Sequence, residues 1–204
     1  MSGRPNKSMA PDVKEEQRVI VEPSDWELVR KCQTGDVGAF QELAAKYYQK
    51  VFMVILGILN HREDALEIAQ ETFYRAFRKI REFRGGSTFY TWLYRIAVNQ
   101  CIDFQRRQRR APAEVREAID ELLYERGEHG TDPYDALEGK EVMSRLLAAL
   151  NDLTPDHKAV IVLRAVEGLS YKEISEILGC SEGTVMSRLH YARKKLQEKL
   201  AHFL

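Results

Sequence analysis

The chain has 204 residues, 44% hydrophobic and 30% charged, with a mean hydropathy of −0.42. That suits one or two compact domains. The longest apolar run, Val51 to Leu59, falls far short of the roughly 20 residues a membrane-spanning helix needs. The formal net charge is zero, which taken whole argues against a nucleic-acid binder.

The charge is unevenly spread. Residues 1–23 balance, 24–110 carry 15 basic and 10 acidic groups, 111–139 carry 2 and 9, and 140–204 carry 10 and 8. Two mildly basic blocks therefore flank an acidic stretch, and a local field rather than the total steers a polyanion. The N-terminus lacks the apolar core of a secretory signal, so a cytoplasmic protein is expected. Cys32, Cys101 and Cys180 are odd in number, far apart and form no CxxC, which speaks against a disulfide framework or a zinc site.

Taken in order, residues 1–23 hold Pro5, Pro11 and Pro23 with few large apolar groups, the composition of a mobile tail. Ser24 followed by Glu27 is a capping box that starts a helix ending near Thr34-Gly35. Asp36 caps a longer one, whose Phe40, Leu43, Ala44, Tyr47, Val51, Val54, Ile55 and Ile58 keep the three-and-four spacing of an amphipathic helix. Asn60 to Glu63 reads as the next cap. The helix after it, Asp64 to about Arg81, puts Ala65, Ile68, Ala69, Phe73, Ala76, Phe77 and Ile80 on one side and Glu67, Gln70, Glu71 and Arg75 opposite. The loop Phe83-Arg84-Gly85-Gly86-Ser87 breaks the pattern, since glycine pairs stop helices. A last helix runs from about Thr88 to Arg109, where Pro112 ends it.

Residues 111–138 read as an acidic linker. The second block opens near Gly139 with a helix carrying Val142, Leu146, Leu147, Ala149 and Leu150. Thr154-Pro155 is a cap followed by a proline at the first helical position. Ser170 to Glu173 is a further capping box, Gly179 turns the chain, and Ser181 caps a final helix with Val185, Leu189, Ala192 and Leu196 in its apolar row. No stretch alternates with a period of two. The fold class is all-α: two helical domains joined by a flexible acidic linker.

Ser170 to Lys199 has the size and punctuation of a helix-turn-helix. In that motif the second helix enters the major groove with its N-terminal residues at base edges. That places Glu182, Gly183, Met186, Ser187 and His190 toward bases and Arg188, Arg193, Lys194 and Lys195 toward phosphates. The other reading is a plain helical hairpin with a solvated basic end.

Phe83 to Arg110 invites two readings. Thr91, Arg95, Asn99 and Asp103 recur at four-residue steps as a polar row, which is either a solvated face or one that meets bases and phosphates. Phe83 and Tyr90 are aromatics suited to stacking on unpaired bases, and Arg106, Arg107, Arg109 and Arg110 provide the basic track that single-strand binders combine with such platforms. Trp92 is read as core. The five histidines are scattered, and no HExxH, GxSxG, phosphate-cradling loop or metal-ligand spacing is present. Neither a catalytic set nor a cofactor is expected.

The stretches Asp64 to Phe73, Phe89 to Asn99, Leu153 to Pro155, Gly168 to Ile174 and Gly183 to Leu189 together resemble the bacterial RNA polymerase sigma factors of the extracytoplasmic-function (ECF, group IV) class, across Trp26 to about Leu200. The resemblance implies a sigma domain 2 at 24–110, a linker at 111–138 and a sigma domain 4 at 139–204. It implies core-polymerase contacts, to the clamp helices of the largest subunit, at Glu67, Gln70, Glu71, Phe73 and Arg75. It implies melting and capture of the promoter −10 element by Phe83, Arg84, Gly85, Gly86, Ser87, Arg95, Asn99, Arg106, Arg107, Arg109 and Arg110. For the −35 duplex it implies Ser181, Glu182, Gly183, Thr184, Met186, Ser187, Arg188, His190, Tyr191, Arg193 and Lys194. It further implies partners: core polymerase, promoter DNA and an anti-sigma factor, in some members anchored in the membrane.

Met186 and His190 stand where members often carry arginine and a large aromatic, so the −35 preference does not carry over. The acidic linker is either a nucleic-acid mimic threading a polymerase channel or a plain tether. The competing readings are a duplex-binding regulator with a sensory N-terminal block, and a helical enzyme.

Overall fold

The computed structural model describes residues 24–110 and 145–201, and all the regular elements among them are helical. The tail expected at 1–23 and the linker expected at 111–138 lie outside the described residues.

The first block is a bundle of α1 (Asp25–Gln33), α2 (Val37–Leu59), α3 (Arg62–Lys79) and α4 (Phe89–Arg110). A short 3-10 turn, Ile80–Glu82, leads into the loop before α4. The capping box of α1 forms as expected: Glu27 N–H donates to Ser24 Oγ and Ser24 N–H donates to Glu27. Such a cap stabilises a helix by about 1 kcal/mol. Asp36 caps α2 by accepting the N–H of Ala39.

The next boundary differs from the expectation. Asn60 is the left-handed C-cap of α2 (φ 57°), and the imidazole of His61 accepts the N–H of Asp64 to cap α3. Asparagine is among the few residues that tolerate that conformation, so a residue read as a helix start ends the helix before it.

The apolar row of α2 faces inward almost to the residue: Phe40, Leu43, Tyr47, Val51, Val54, Ile55 and Ile58 are buried. The row of α3 does not. Phe73 is half-buried and Phe77 is exposed, edge-on to Phe40. Beneath them Gln100 donates to the Thr72 hydroxyl, which donates to Ile68 O, so the polar groups buried between α3 and α4 are satisfied.

The second block holds α5 (145–151), α6 (Pro155–Val166), α7 (Tyr171–Leu178) and α8 (Glu182–Leu200). The expected caps at Thr154, Ser170 and Ser181 all form. Gly179 ends α7 in the left-handed region (φ 63°). Val185, Leu189 and Ala192 of α8 are buried.

The two blocks pack on one another and share a core. Helix α6 lies against α2 and α4, and α7 lies against α4. The approach is closest at Gly57, where a built Cβ falls 2.9 Å from Cγ1 of Val162. Only glycine permits that spacing in the middle of α2, because real Cβ contacts are not this short.

Candidate nucleic-acid interface

Three surfaces carry the functional expectations. The first is the loop before α4. Gln33, the last residue of α1, donates its amide to Ile80 O (3.0 Å) and Phe83 O (2.8 Å), which fixes where the loop departs. Thr88 accepts the Thr91 N–H, and its hydroxyl bonds that of Thr91, so α4 starts from a fixed point. Between these anchors lies an open hollow of about 580 Å³ lined by Ser24, Asp25, Trp26, Lys46, Phe83, Arg84, Gly85, Ser87, Thr88 and Phe89.

Phe83 is buried at 6% exposure, edge-on to Trp26 and Phe89 and packed on Trp92. It is the floor of the hollow, not a free stacking platform. The half-exposed ring at the rim is Trp26 (41%), with the Arg30 guanidinium over its face. Gly85 is tied to this arrangement twice. Its φ of 76° favours glycine, and a Cβ there would meet Trp26 at 3.0 Å. Lys46 pairs with Asp25 at 2.6 Å, and Asp25 also accepts the hydroxyl of Tyr47. Lys46, with its partner Asp25, and the Trp26 ring thus meet at one concavity floored by Phe83, a setting suited to an unstacked base. Trp26, Lys46, Asp25 and Thr88 were missed in the sequence because they reach the loop only through tertiary packing. The only local signal was the capping box that sets the start of α1 next to it.

Along α4 the polar row divides. Thr91 is buried at 3% exposure and serves the helix start, whereas Arg95, Asn99 and Asp103 are exposed. Three arginines of α4 are engaged within the chain. Arg95 donates through Nε and Nη2 to Glu176 O in α7 (3.1 and 2.6 Å). Arg106 pairs with Asp156 (2.9 Å), and Arg109 donates to Leu153 O (2.6 Å). Arg84 and Arg107 are exposed, as are Gly85 and Gly86, while Ser87 is half-buried. Arg110 is the last residue of α4.

The second surface is the outer side of α3. Glu67, Gln70 and Arg75 are exposed and Glu71 and Phe73 half-buried, with Glu71 and Arg75 paired across one turn at 2.6 Å. Tyr74 (56%) and Phe77 (41%) extend this face with exposed aromatic area. The sequence reading placed Phe77 inside and passed over Tyr74. Aromatics ringed by charge are the composition of a protein-docking surface.

The third surface is the N-terminal half of α8. Ser181, Glu182, Gly183, Met186, Ser187, His190, Tyr191, Arg193 and Lys194 are exposed, and Thr184 is half-buried. Met186 and Tyr191 are large apolar groups left open at 55% and 49%. Arg188 is half-buried and pairs with Asp156 at 3.2 Å, and Tyr191 packs on His157 at 4.5 Å between ring centroids. Burial and the nearby Arg188 lower the pKa of His157.

A helical block with an aromatic loop, followed by a helix-turn-helix block, defines a two-part promoter-recognition factor. Comparison with known proteins agrees in both parts. Sigma-70 region 2 matches residues 43–111 and Sigma-70, region 4 matches residues 143–196. The chain is 39% identical over 181 residues to the ECF RNA polymerase sigma-E factor of Haemophilus influenzae, covering 87% of this chain and 95% of that one. It is 32% identical over 190 residues to the RNA polymerase sigma-H factor of Pseudomonas aeruginosa, covering 91% and 98%.

Among solved structures, it resembles the sigma factor RpoE of Bartonella quintana, crystallised with the anti-sigma factor NepR (TM-score 0.59, 26% identity, 82% of this chain and all of that one). It shares its fold with CnrH in a complex with the cytosolic domain of CnrY (TM-score 0.64, 24% identity, 88% and 99%). The chain belongs to the ECF sigma factors of bacterial RNA polymerase, proteins that direct the polymerase to start transcription at particular promoters. No helix among the described residues is long and apolar enough to cross a membrane.

Proposed function

We propose that the three surfaces divide the work of a sigma factor among them. The outer face of α3, with Glu67, Gln70, Glu71, Phe73 and Arg75 and the exposed rings of Tyr74 and Phe77, docks on the clamp helices of the polymerase's largest subunit. The hollow before α4 receives a base extracted from the non-template strand of the −10 element. Phe83 supports it from below, Trp26 and Arg84 border it, and Asn99 and the α4 arginines meet the strand beyond. The exposed half of α8 reads the −35 duplex. The chain lends specificity and performs no chemistry itself. An anti-sigma factor is its regulator, by analogy with the complex of the RpoE sigma factor with NepR. The observation that carries the reading is the hollow: it lies between two fixed helix ends, 580 Å³ in size, beside a glycine that only the loop geometry explains.

Two substitutions separate the roles. Gln70→Ala with Glu71→Ala is expected to weaken binding to core polymerase about tenfold, roughly 1.4 kcal/mol, while binding to an isolated −35 duplex is unchanged. Fluorescence anisotropy with each partner checks this, and a parallel loss of both would defeat the division. Asn99→Ala is expected to slow promoter opening by about tenfold with closed-complex affinity unaltered, the signature of a contact made only once the strands part. Permanganate footprinting beside an electrophoretic shift measures the two steps. Equal losses would remove Asn99 from strand capture.

A further inference from the structure

Helix α1 precedes the residues matched by Sigma-70 region 2, which begin at 43, yet it is the element from which the loop before α4 hangs. Trp26, Arg30 and Gln33 stand at i, i+4 and i+7 and so share one face of α1. Leu28, Val29 and Cys32 are buried and seat the helix on the bundle, where it packs on α2 and on the 3-10 turn.

Gln33 grips the root of the loop. Its Nε2 donates to Ile80 O at 3.0 Å and to Phe83 O at 2.8 Å. A side-chain amide nitrogen carries two hydrogens, and here each goes to a carbonyl at one end of the turn, Ile80 at its start and Phe83 at its cap. Trp26 grips the loop further on. Its ring stands edge-on to Phe83 at 6.1 Å between centroids, and a Cβ on Gly85 would lie 3.0 Å from its distal carbon. The Arg30 guanidinium lies 5.4 Å from the indole centroid, an attraction that holds the ring where it is. Gly85 and Gly86 in succession leave the loop more freedom than other residues would, so its shape is set from outside.

We propose that α1 is part of the strand-capture apparatus, with Gln33 the positioning residue that sets the floor of the hollow and Trp26 the wall that meets the extracted base. This rests on the reading of the hollow given above. Gln33 itself touches no DNA. It fixes the carbonyl of Phe83, whose ring is the floor, and through it the path of the chain to Gly85 against Trp26. Selection of the captured base thus depends on a residue 50 positions earlier in the chain than the floor it holds. A site loses selectivity when its walls are about 1 Å too loose.

Base discrimination, not overall affinity, separates positioning from simple stability. Core polymerase is reconstituted with the full-length chain, and a promoter it transcribes is located from the start of the transcript. The probe is the single-stranded non-template segment of that −10 element, intact or with one nucleotide at a time made abasic. The parent holoenzyme is expected to prefer the intact strand about tenfold at one position, the scale of one stacked base. Gln33→Glu keeps the size of the side chain but turns an oxygen toward both carbonyls. Its preference is expected to fall to about twofold, with binding to core polymerase and to −35 duplex unchanged. Gln33→Lys returns donors to the same place and is expected to recover a preference of about fivefold. Its added charge strengthens binding to every strand alike, so the ratio is not inflated. Trp26→Ala removes the wall, leaves Gln33 in place and is expected to lose the preference too.

A general loss of stability weakens intact and abasic strands equally. A Gln33→Glu holoenzyme that keeps the parent's ratio, whether it binds tightly or weakly, therefore overturns the proposal. A Gln33→Lys protein no better than Gln33→Glu overturns it as well, since the two carbonyl bonds are then not the cause. Should Gln33→Glu fail to fold, Gln33→Met, of similar length and uncharged, takes its place with the same expected loss. If the parent itself has no position sensitive to base removal, it is the hollow as a base site that falls, and the role of α1 with it.

Discussion

Gly85→Ala is expected to cut promoter opening by about 10- to 100-fold while leaving both polymerase binding and −35 duplex binding intact. The argument is steric and local. Residue 85 sits at φ 76°, where an L side chain is strained, and its Cβ would lie 3.0 Å from the distal carbon of the Trp26 indole. The backbone strain costs about 1–2 kcal/mol. The contact adds to it unless Trp26 swings away, and Trp26 is also the ring that borders the hollow. Either response damages the same feature: the loop shifts off its anchors at Gln33, or the indole leaves the rim.

A loss of about 1.4–2.8 kcal/mol in strand capture corresponds to the stated fold-change. The neighbour provides the contrast. Gly86 has nothing within 4 Å of a built Cβ and no positive φ, so Gly86→Ala is expected to leave thermal stability within about 0.5 kcal/mol of the parent. Potassium permanganate reactivity of the −10 thymines measures opening, and calorimetry measures stability. If Gly85→Ala opens promoters normally, neither the loop geometry nor the Trp26 contact matters for capture.

The loop illustrates how far a sequence can be read. Helix starts were legible because a cap is a local chemical unit: Ser24, Asp36, Thr154, Ser170 and Ser181 each accept an N–H three residues on. The inward row of α2 was legible because one face of a long helix is uniformly buried. What failed was whatever depended on the partner across a contact. Asn60 and Glu63 look like a helix start, yet whether an asparagine starts or ends a helix depends on a backbone angle that its neighbours impose. Phe83 beside two glycines looks available, but three other aromatics enclose it. Phe77 has the spacing of a core residue, and α3 has no further layer to cover it. The arginines of α4 were read as a basic track for a phosphate backbone. That the second block would supply carbonyls and Asp156 could not be seen, since the contacts join residues about 40 to 80 positions apart.

Lys158→Met is expected to remove a rise in stability between about pH 8 and 10.5. Lys158 is 1% exposed, lies between α6 and α4, and donates one hydrogen bond, to Asn151 Oδ1 at 2.7 Å. Burial, reinforced by the Arg109 guanidinium, lowers its ammonium from the ordinary 10.5 to about 8. A depressed lysine means that the unfolded chain holds the proton over a range where the folded chain has released it. The difference in bound protons between unfolded and folded states is then positive, and stability rises with pH between about 8 and 10.5. Below pH 8 both states are protonated and the cost of burying the cation is constant.

Across the window the gain from this one group approaches about 3 kcal/mol. Cys101, buried nearby with its thiol pushed up, works in the opposite direction, because the unfolded thiol ionises first. The raw profile therefore mixes the two, and only the difference between parent and variant isolates the lysine. Methionine keeps the volume and loses the charge, and replacing a buried cation by an apolar group of its size is often neutral or stabilising. Urea midpoints at pH 7 are thus expected to be equal or higher for Lys158→Met, with the advantage shrinking as pH rises from 8 toward 10.5. An advantage that stays constant over that range would show that Lys158 keeps its proton in the folded chain and that the α4–α6 contact admits water.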